Sequence, residues 1–238
     1  MPEQIHSQVV VRIADDLDED KPLRMVSASS RGKEKKVEME KHKPRAGRAG
    51  QVSVILDWLC LSGARAVRQA RLRELGITCV INCTVELPAV PLDGVEVVTV
   101  PVSDAAASNL SSYMSDIADK IEDERRRGGR VLVHCVAGVS RSPALVLAYL
   151  VKHCDMSLRE AFQHARKARP NIRPNAGFFS QLIEFERDVR GSASVTLVRD
   201  AALGLAIPDV CEDELKVLRD TRWARMIHER RNFERLYA

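Results

Sequence analysis

His134-Cys135-Val136-Ala137-Gly138-Val139-Ser140-Arg141-Ser142 follows the apolar run Val131-Leu132-Val133 and precedes the apolar run from Ala144 to Leu150. A cysteine, five residues whose backbone can curl, and an arginine at a strand-to-helix junction are what a thiolate needs to attack a bound phosphate dianion. A loop ending at the first turn of a helix has unpaired N–H groups facing a bowl, and the helix N-terminus adds about half a positive charge. Such a nest, formed here by Val136, Ala137, Gly138, Val139, Ser140 and Arg141, is suited to an anion. Gly138 permits the positive φ or close approach that a tight cradle requires, and Arg141 can grip two oxygens bidentately.

The same positive surroundings stabilise a thiolate. The pKa of Cys135 is expected to fall from about 8.5 into the range of roughly 3.5–7.5 found for cysteines at helix N-termini. His134 is expected to orient the loop through backbone carbonyls and not to act as a base, because a preformed thiolate needs none. Ser142 can donate its hydroxyl to the sulfur and so improve it as a leaving group. Pro143 suits an early helical position, where its missing N–H costs nothing. The plainer alternative is a buried cysteine after a core strand and an arginine on a solvated helix face, but it leaves the joint spacing of Cys135, Gly138, Arg141 and Ser142 without a reason.

The stretch resembles the cysteine phosphatase signature His-Cys-x5-Arg-Ser/Thr, and its Ala-Gly-x-Ser-Arg-Ser form is similar to the dual-specificity branch. The resemblance runs from about Val52 to Asp188 and follows the pattern of that family's single-domain, atypical members. It includes Leu59-x-Leu61-Ser62-Gly63, Gly76-Ile77-Thr78-x-Val80-Ile81-Asn82-x-Thr84, Glu86-Leu87-Pro88 and Val100-Pro101-Val102-x-Asp104. Beyond the loop it includes Ala168-Arg169-Pro170, Arg173-Pro174-Asn175-x-Gly177-Phe178 and Gln181-Leu182. It implies a protein phosphatase acting on phosphotyrosine and phosphoserine/phosphothreonine through a cysteinyl-phosphate.

Such chemistry needs a proton donor for the leaving oxygen. Asp104 follows a predicted strand ended by Pro101 and lies on the loop where the family places its acid; the alternative is a helix cap or a solvated loop carboxylate. Asp93 is a weaker candidate, because Asp93-Gly94 reads as a turn. The tract Ala105-Ala106-Ala107-Ser108 leaves the mobility of the acid's loop open. By resemblance, Asn175 supports the phosphate loop from behind; read from its position alone it is the N-cap of an apolar helix, and both roles can hold together.

The elements that must position these groups alternate. Strands are expected near 51–56, 77–82, 95–100 and 130–134. Helices are expected at 64–75 ended by Gly76, at 110–127 capped by Asn109 and stopped by Gly128-Gly129, at 142–153, after the capping box Ser157-x-x-Glu160, and at 176–189. This pattern implies an α/β fold with a central, mostly parallel sheet flanked by helices, and a site at the carboxyl ends of its strands.

At 238 residues the chain has room for one core and tails. Residues 1–50 read as a disordered tail, acidic at Asp15 to Asp20 and basic from Arg31 to Arg48. Within it Lys35-Lys36-Val37-Glu38-Met39 has the look of a kinase docking peptide, against the plainer reading of a solvated charge run. Residues 51–190 form the expected catalytic domain, and 191–238 an extension that is partly helical. Ser194 to Val198 is a candidate extended segment. Ile207-Pro208-Asp209-Val210-x-Glu212 resembles the carboxyl-terminal extension of some atypical members, and Glu212 to Leu236 is a charged helix candidate.

The six cysteines show no metal spacing, and no secretory signal accompanies them, so a reducing cytoplasmic or nuclear setting is expected. Cys83 is a candidate disulfide partner for an oxidised Cys135, against the plainer reading of a small buried hydrophobe. No run of about 20 apolar residues spans a membrane, and Pro2 replaces the glycine that myristoylation needs. No cofactor and no metal is expected. Phosphorylated proteins, signalling kinases among them, are the expected partners; nucleic acid is not, since no aromatics interleave the basic tail. Two other functions compete. A nonprotein phosphatase would carry basic residues where Val136, Ala137 and Val139 are apolar, and a noncatalytic phosphate-binding module would have lost the cysteine, arginine or acid.

Overall fold

The computed structural model describes residues 50–89, 91–200 and 205–211, all within one compact unit. The proposed N-terminal tail with its docking-like peptide, and the helix candidate from Glu212, lie outside the described residues.

Five of the described strands form one sheet in the order β1-β2-β5-β3-β4. They are β1 (Val52–Leu56), β2 (Leu59–Gly63), β3 (Cys79–Asn82), β4 (Glu96–Thr99) and β5 (Val131–Cys135). β1 is antiparallel to β2, and β2, β5, β3 and β4 run parallel, so the sheet is mostly parallel. β1 alternates buried and exposed residues, as an edge strand does, whereas every residue of β2, β3 and β5 is buried. Strands enclosed on both faces lose the alternation that announces a strand. That is why Leu59–Gly63 reads from sequence as a motif and only in the structure as a strand.

Period-two geometry then sorts the central strands. Cys60, Val80 and Leu132 face α1 (Gln69–Glu74) through Leu72 and Ile77. Leu61, Ile81 and Val133 face the larger core built with α2 (Ser111–Arg126), α3 (Arg141–His153), α4 (Leu158–Ala168) and α5 (Ala176–Arg190). α3 packs against α2, α4, α5 and β5, and its residues from Arg141 to Val151 are all buried.

The helix expected over 64–75 is two pieces. A 3₁₀ turn, Ala64–Ala66, is followed by Val67 and an extended Arg68 before α1 begins. The cause is tertiary: Ala64 N donates to Val136 O at 3.1 Å, which ties the segment to the anion loop. The start of α2 is served by Asn109, whose Oδ1 accepts from Ser112 N, and also by Gln181 of α5, whose Oε1 accepts from Leu110 N and Ser111 N, both at 2.7 Å. The capping box of α4 is present, and Gly191 ends α5 at φ +77°.

Of the candidate extended segment Ser194 to Val198, only Leu197 and Val198 enter a strand, β6 (Leu197–Asp200), which pairs antiparallel with β7 (Leu205–Pro208). Buried Glu186 accepts from Leu158 N and Ser194 N, and Arg159 reaches Ser194 O and Asp209. The turn and hairpin are therefore fastened to α4 and α5. Among the described residues no helix is long and apolar enough to cross a membrane.

Candidate active site

Cys135 is the last residue of β5 and pairs in register with Gly63 at the end of β2, at the carboxyl edge of the sheet. It is 1% exposed. The loop that follows is shaped by its carbonyls. Val136 O accepts from Ala64 N, and Ala137 O and Gly138 O accept from Nη2 and Nε of Arg169, at 3.1 and 2.7 Å. Val139 O accepts from Arg173 N at 2.6 Å. Because each peptide is planar, carbonyls held outward turn the N–H groups of the same planes inward. Gly138 has φ +69°, and a Cβ there would lie 2.5 Å from the carbonyl atoms of Ser62, so glycine is demanded by both torsion and space.

The sulfur of Cys135 accepts from Gly138 N and Ser142 Oγ, each at 3.2 Å. Burial by itself would raise its pKa. The Ser142 hydroxyl and the backbone N–H groups of Ser142, Gly138 and Val139 outweigh it and bring the thiol below its ordinary value. His134 is buried, with Nδ1 3.4 Å from Cys135 O, and burial lowers its pKa. It is held neutral and faces away from the bowl along the strand.

Arg141 opens α3. Its Nη1 donates to Glu86 Oε2 at 2.6 Å and to Val102 O at 3.1 Å. Its buried Nε has no hydrogen-bond partner and lies 3.7 Å from Asp104 Oδ2. A buried donor left unpaired is costly unless a ligand claims it.

Asp104 is held by one oxygen: Oδ1 accepts from Ser140 Oγ at 2.6 Å and from Asn175 Nδ2 at 3.0 Å. Oδ2 remains on the Arg141 side. Asn175 Oδ1 caps α5 at Phe178 N, and the Asn175 N–H donates to Ser140 Oγ. The Ala105–Ser108 tract is buttressed from behind: a Cβ on Gly177 would come within 1.9 Å of Ala106 O. Asp93 is elsewhere, in a turn with Gly94 at φ +71°, bonded through its backbone to Gln69.

Two contributors escaped sequence reasoning. Arg169, 3% exposed, also reaches Gln51 O and Ser53 Oγ. The only signal for it was its place in Ala168-Arg169-Pro170. Glu86 stood in a similar motif with no role attached.

Cys83 follows β3, and its N–H donates to His134 O at 2.8 Å. Burial raises its thiol pKa, and the Cys135 charge adds to the rise. At the opposite end of the sheet Cys79, Glu96 and Glu124 place ligand-type atoms within 4.8 Å of one another. Lys120 Nζ already sits on both carboxylates, and burial pushes the Cys79 thiol up to about 12. That cluster is an ammonium site. A groove of about 510 Å³ borders the anion loop, lined by Gly63, Ala64, Arg65, Leu87, Val136 and Val139 among others.

The family model described as "Dual specificity phosphatase, catalytic domain" matches residues 59–188. Human dual specificity protein phosphatase 14 is 40% identical over 173 residues, covering 72% of this chain and 86% of that protein. Rat dual specificity protein phosphatase 18 is 39% identical over 175 residues, covering 74% and 85%. The crystal structure of human DUSP28 superposes with a TM-score of 0.57 at 35% identity, covering 59% of this chain and 99% of that one.

Proposed function

Since this chain belongs to the dual specificity phosphatase family and is an enzyme of that kind, we propose a division of labour among the residues of its anion bowl. The reaction is hydrolysis of phosphotyrosine and phosphoserine/phosphothreonine through a cysteinyl-phosphate. The observation that carries the assignment is a buried Arg141 Nε that makes no hydrogen bond, in the same loop as a thiol that already accepts two.

The phosphate dianion enters the bowl and takes the inward N–H groups of Val136 to Ser140 and the free edge of Arg141. Cys135 attacks phosphorus as a thiolate, and the bond to the ester oxygen breaks. Asp104, protonated at Oδ2, gives its proton to that oxygen, so the side chain leaves as a neutral hydroxyl. In the second step water attacks the cysteinyl-phosphate and gives a proton to the Asp104 carboxylate. The sulfur departs as a thiolate stabilised by Ser142, and inorganic phosphate is released. Ser140 and Asn175 hold the idle oxygen of Asp104 so that the other faces the reaction. His134 keeps β5 and the loop in register.

Hydrolysis of an aryl phosphate in the presence of chelator, by the native chain, Cys135→Ser and Asp104→Asn, tests the assignment. Activity is expected to vanish in the first variant and to fall by about 10²–10⁴ in the second, the usual worth of a general acid. Full activity in Cys135→Ser would end it. Turnover of both phosphotyrosyl and phosphothreonyl peptides is expected; turnover of neither would point to a nonprotein substrate.

Three finer readings belong to the same proposal. The catalytic unit is residues 51–190, with 1–50 and 191–238 as appended tails. Signalling kinases are candidate substrates, approached through the basic tail. The compartment is cytoplasm, nucleus or both, in keeping with six free cysteines, a low-pKa thiol among them. Fractionation of cells carrying the tagged full chain tests the last, and recovery in a secreted or membrane fraction would contradict it.

A further inference from the structure

We propose that Glu86 is a positioning residue for the phosphate grip: it holds Nη1 of Arg141 from behind, so that the Nε and Nη2 edge is presented to the phosphate. The inference rests on the phosphatase reading above and extends it to a residue that reading leaves idle.

A guanidinium grips two oxygens through two parallel N–H groups. In Arg141 the Nη1 position is spent on Glu86 Oε2 at 2.6 Å and Val102 O at 3.1 Å, while the buried Nε makes no hydrogen bond and has only Asp104 Oδ2 near it, at 3.7 Å. The Nε and Nη2 edge is therefore the one left for the substrate, and Glu86 does not occupy it.

The segment carrying Glu86 is built for this placement. Asn82 and Thr84 are buried polar residues at the end of β3. Thr84 Oγ1 donates to Asn82 Oδ1 at 2.7 Å, Asn82 Nδ2 donates to Leu87 O at 3.1 Å, and Leu87 N donates back to Thr84 Oγ1 at 3.3 Å. These bonds close a ring of backbone and side chain around Val85 and Glu86. Val85 N–H also reaches Glu86 Oε2 at 3.2 Å, the oxygen that Arg141 uses. Buried hydrogen-bonded networks of this kind fix one conformation. The Asn82-x-Thr84 and Glu86-Leu87-Pro88 motifs thereby acquire a purpose: the first shapes a turn, and the second aims a carboxylate from it.

The pairing is unlike an ordinary surface ion pair, which is worth little. The Arg141 side chain is 4% exposed and that of Glu86 46%. The Arg141 hydrogen bond, followed by backbone N–H bonds, holds the Glu86 carboxyl below its usual range, so it stays ionised where phosphatases work.

The test is calorimetric titration of inorganic phosphate into the native chain, Glu86→Ala and Glu86→Gln, alongside steady-state hydrolysis of an aryl phosphate. Glu86→Ala is expected to weaken phosphate binding and raise KM by about tenfold, the worth of one hydrogen bond to a charged group. The thermal midpoint is expected to hold, because the residue is half exposed. Glu86→Gln retains an acceptor for Nη1 and is expected to recover most of the affinity. Phosphate binding in Glu86→Ala within twofold of native, or tighter than native, would overturn the proposal, the second result by making Glu86 a competitor of phosphate. Equal losses in both variants with a lowered midpoint would overturn it too. Phosphate binding is read without turnover, so an inert native chain that binds phosphate would count against the reaction and leave the test of Glu86 standing.

Discussion

Replacing Arg169 with methionine removes a buried cation while keeping most of its stem. In the native chain its guanidinium donates to Gly138 O at 2.7 Å and Ala137 O at 3.1 Å, with longer contacts to Gln51 O and Ser53 Oγ. Hydrogen bonds from a charged donor are worth about 1.5–3 kcal/mol each. Against them stands the cost of burying a charge that, among the described residues, no carboxylate neutralises; burial is the main influence on its pKa and lowers it. The difference leaves a stability loss of about 2–4 kcal/mol for Arg169→Met, read as a lower urea midpoint at unchanged slope. A second effect falls on the nucleophile. Arg169 feels the Cys135 charge, so in the variant the thiolate loses a stabilising cation and its pKa rises. The pH dependence of iodoacetamide alkylation at Cys135 measures this directly, and the acid limb should move to higher pH. With the loop carbonyls released as well, kcat/KM at neutral pH should fall by at least about tenfold. An unchanged alkylation profile together with an unchanged urea midpoint would refute the reasoning on both counts.

Ser140→Ala removes the shortest hydrogen bond to Asp104; kcat for a substrate with a poor leaving group should drop about tenfold with KM within twofold, as stopped assays on a phosphothreonyl peptide would show. Gly177→Ala forces Ala106 aside and should cut kcat on the same peptide more than it affects binding of inorganic phosphate. Gly138→Ala should abolish activity, because a Cβ meets Ser62 and the torsion is strained by about 1–3 kcal/mol, with loss of phosphate binding by calorimetry as the check. Glu122 is held at about 2, chiefly by its hydrogen bond with Arg125. Its folded pKa lies below the unfolded value of about 4.3, so its contribution is complete above that pH and is lost as pH falls toward 2. Thermal midpoints of native and Glu122→Gln protein should converge over that window.

The anion loop was legible in the sequence because its chemistry is local: Cys135, Gly138, Arg141 and Ser142 lie within eight residues, and a strand and helix of unmistakable apolarity flank them. Asp104 was legible as a candidate because a strand ending at Pro101 delivers it to the sheet's carboxyl edge. The helix boundaries fell close where capping chemistry is local, at Ser157 with Glu160, at Asn175 and at Gly191. What escaped depends on distance along the chain. β2 is enclosed on both faces and has no period to read. The break before α1 comes from a bond to Val136, far downstream. Arg169 and Glu86 act on the loop across 31 and 55 positions, and nothing in their own neighbourhoods says which carbonyl or guanidinium they meet. Gly177 is a glycine for the sake of Ala106, a reason visible only once the acid's loop and α5 are in place.

The most direct measurement is rapid acid quench of the native chain during turnover of an aryl phosphate, followed by mass spectrometry of the peptide that carries Cys135. The account predicts a phosphate adduct on Cys135 that accumulates in the first turnover, decays with the steady-state rate and is absent from Cys135→Ser. Turnover with no adduct at Cys135, or with the phosphate carried by another residue, would contradict it.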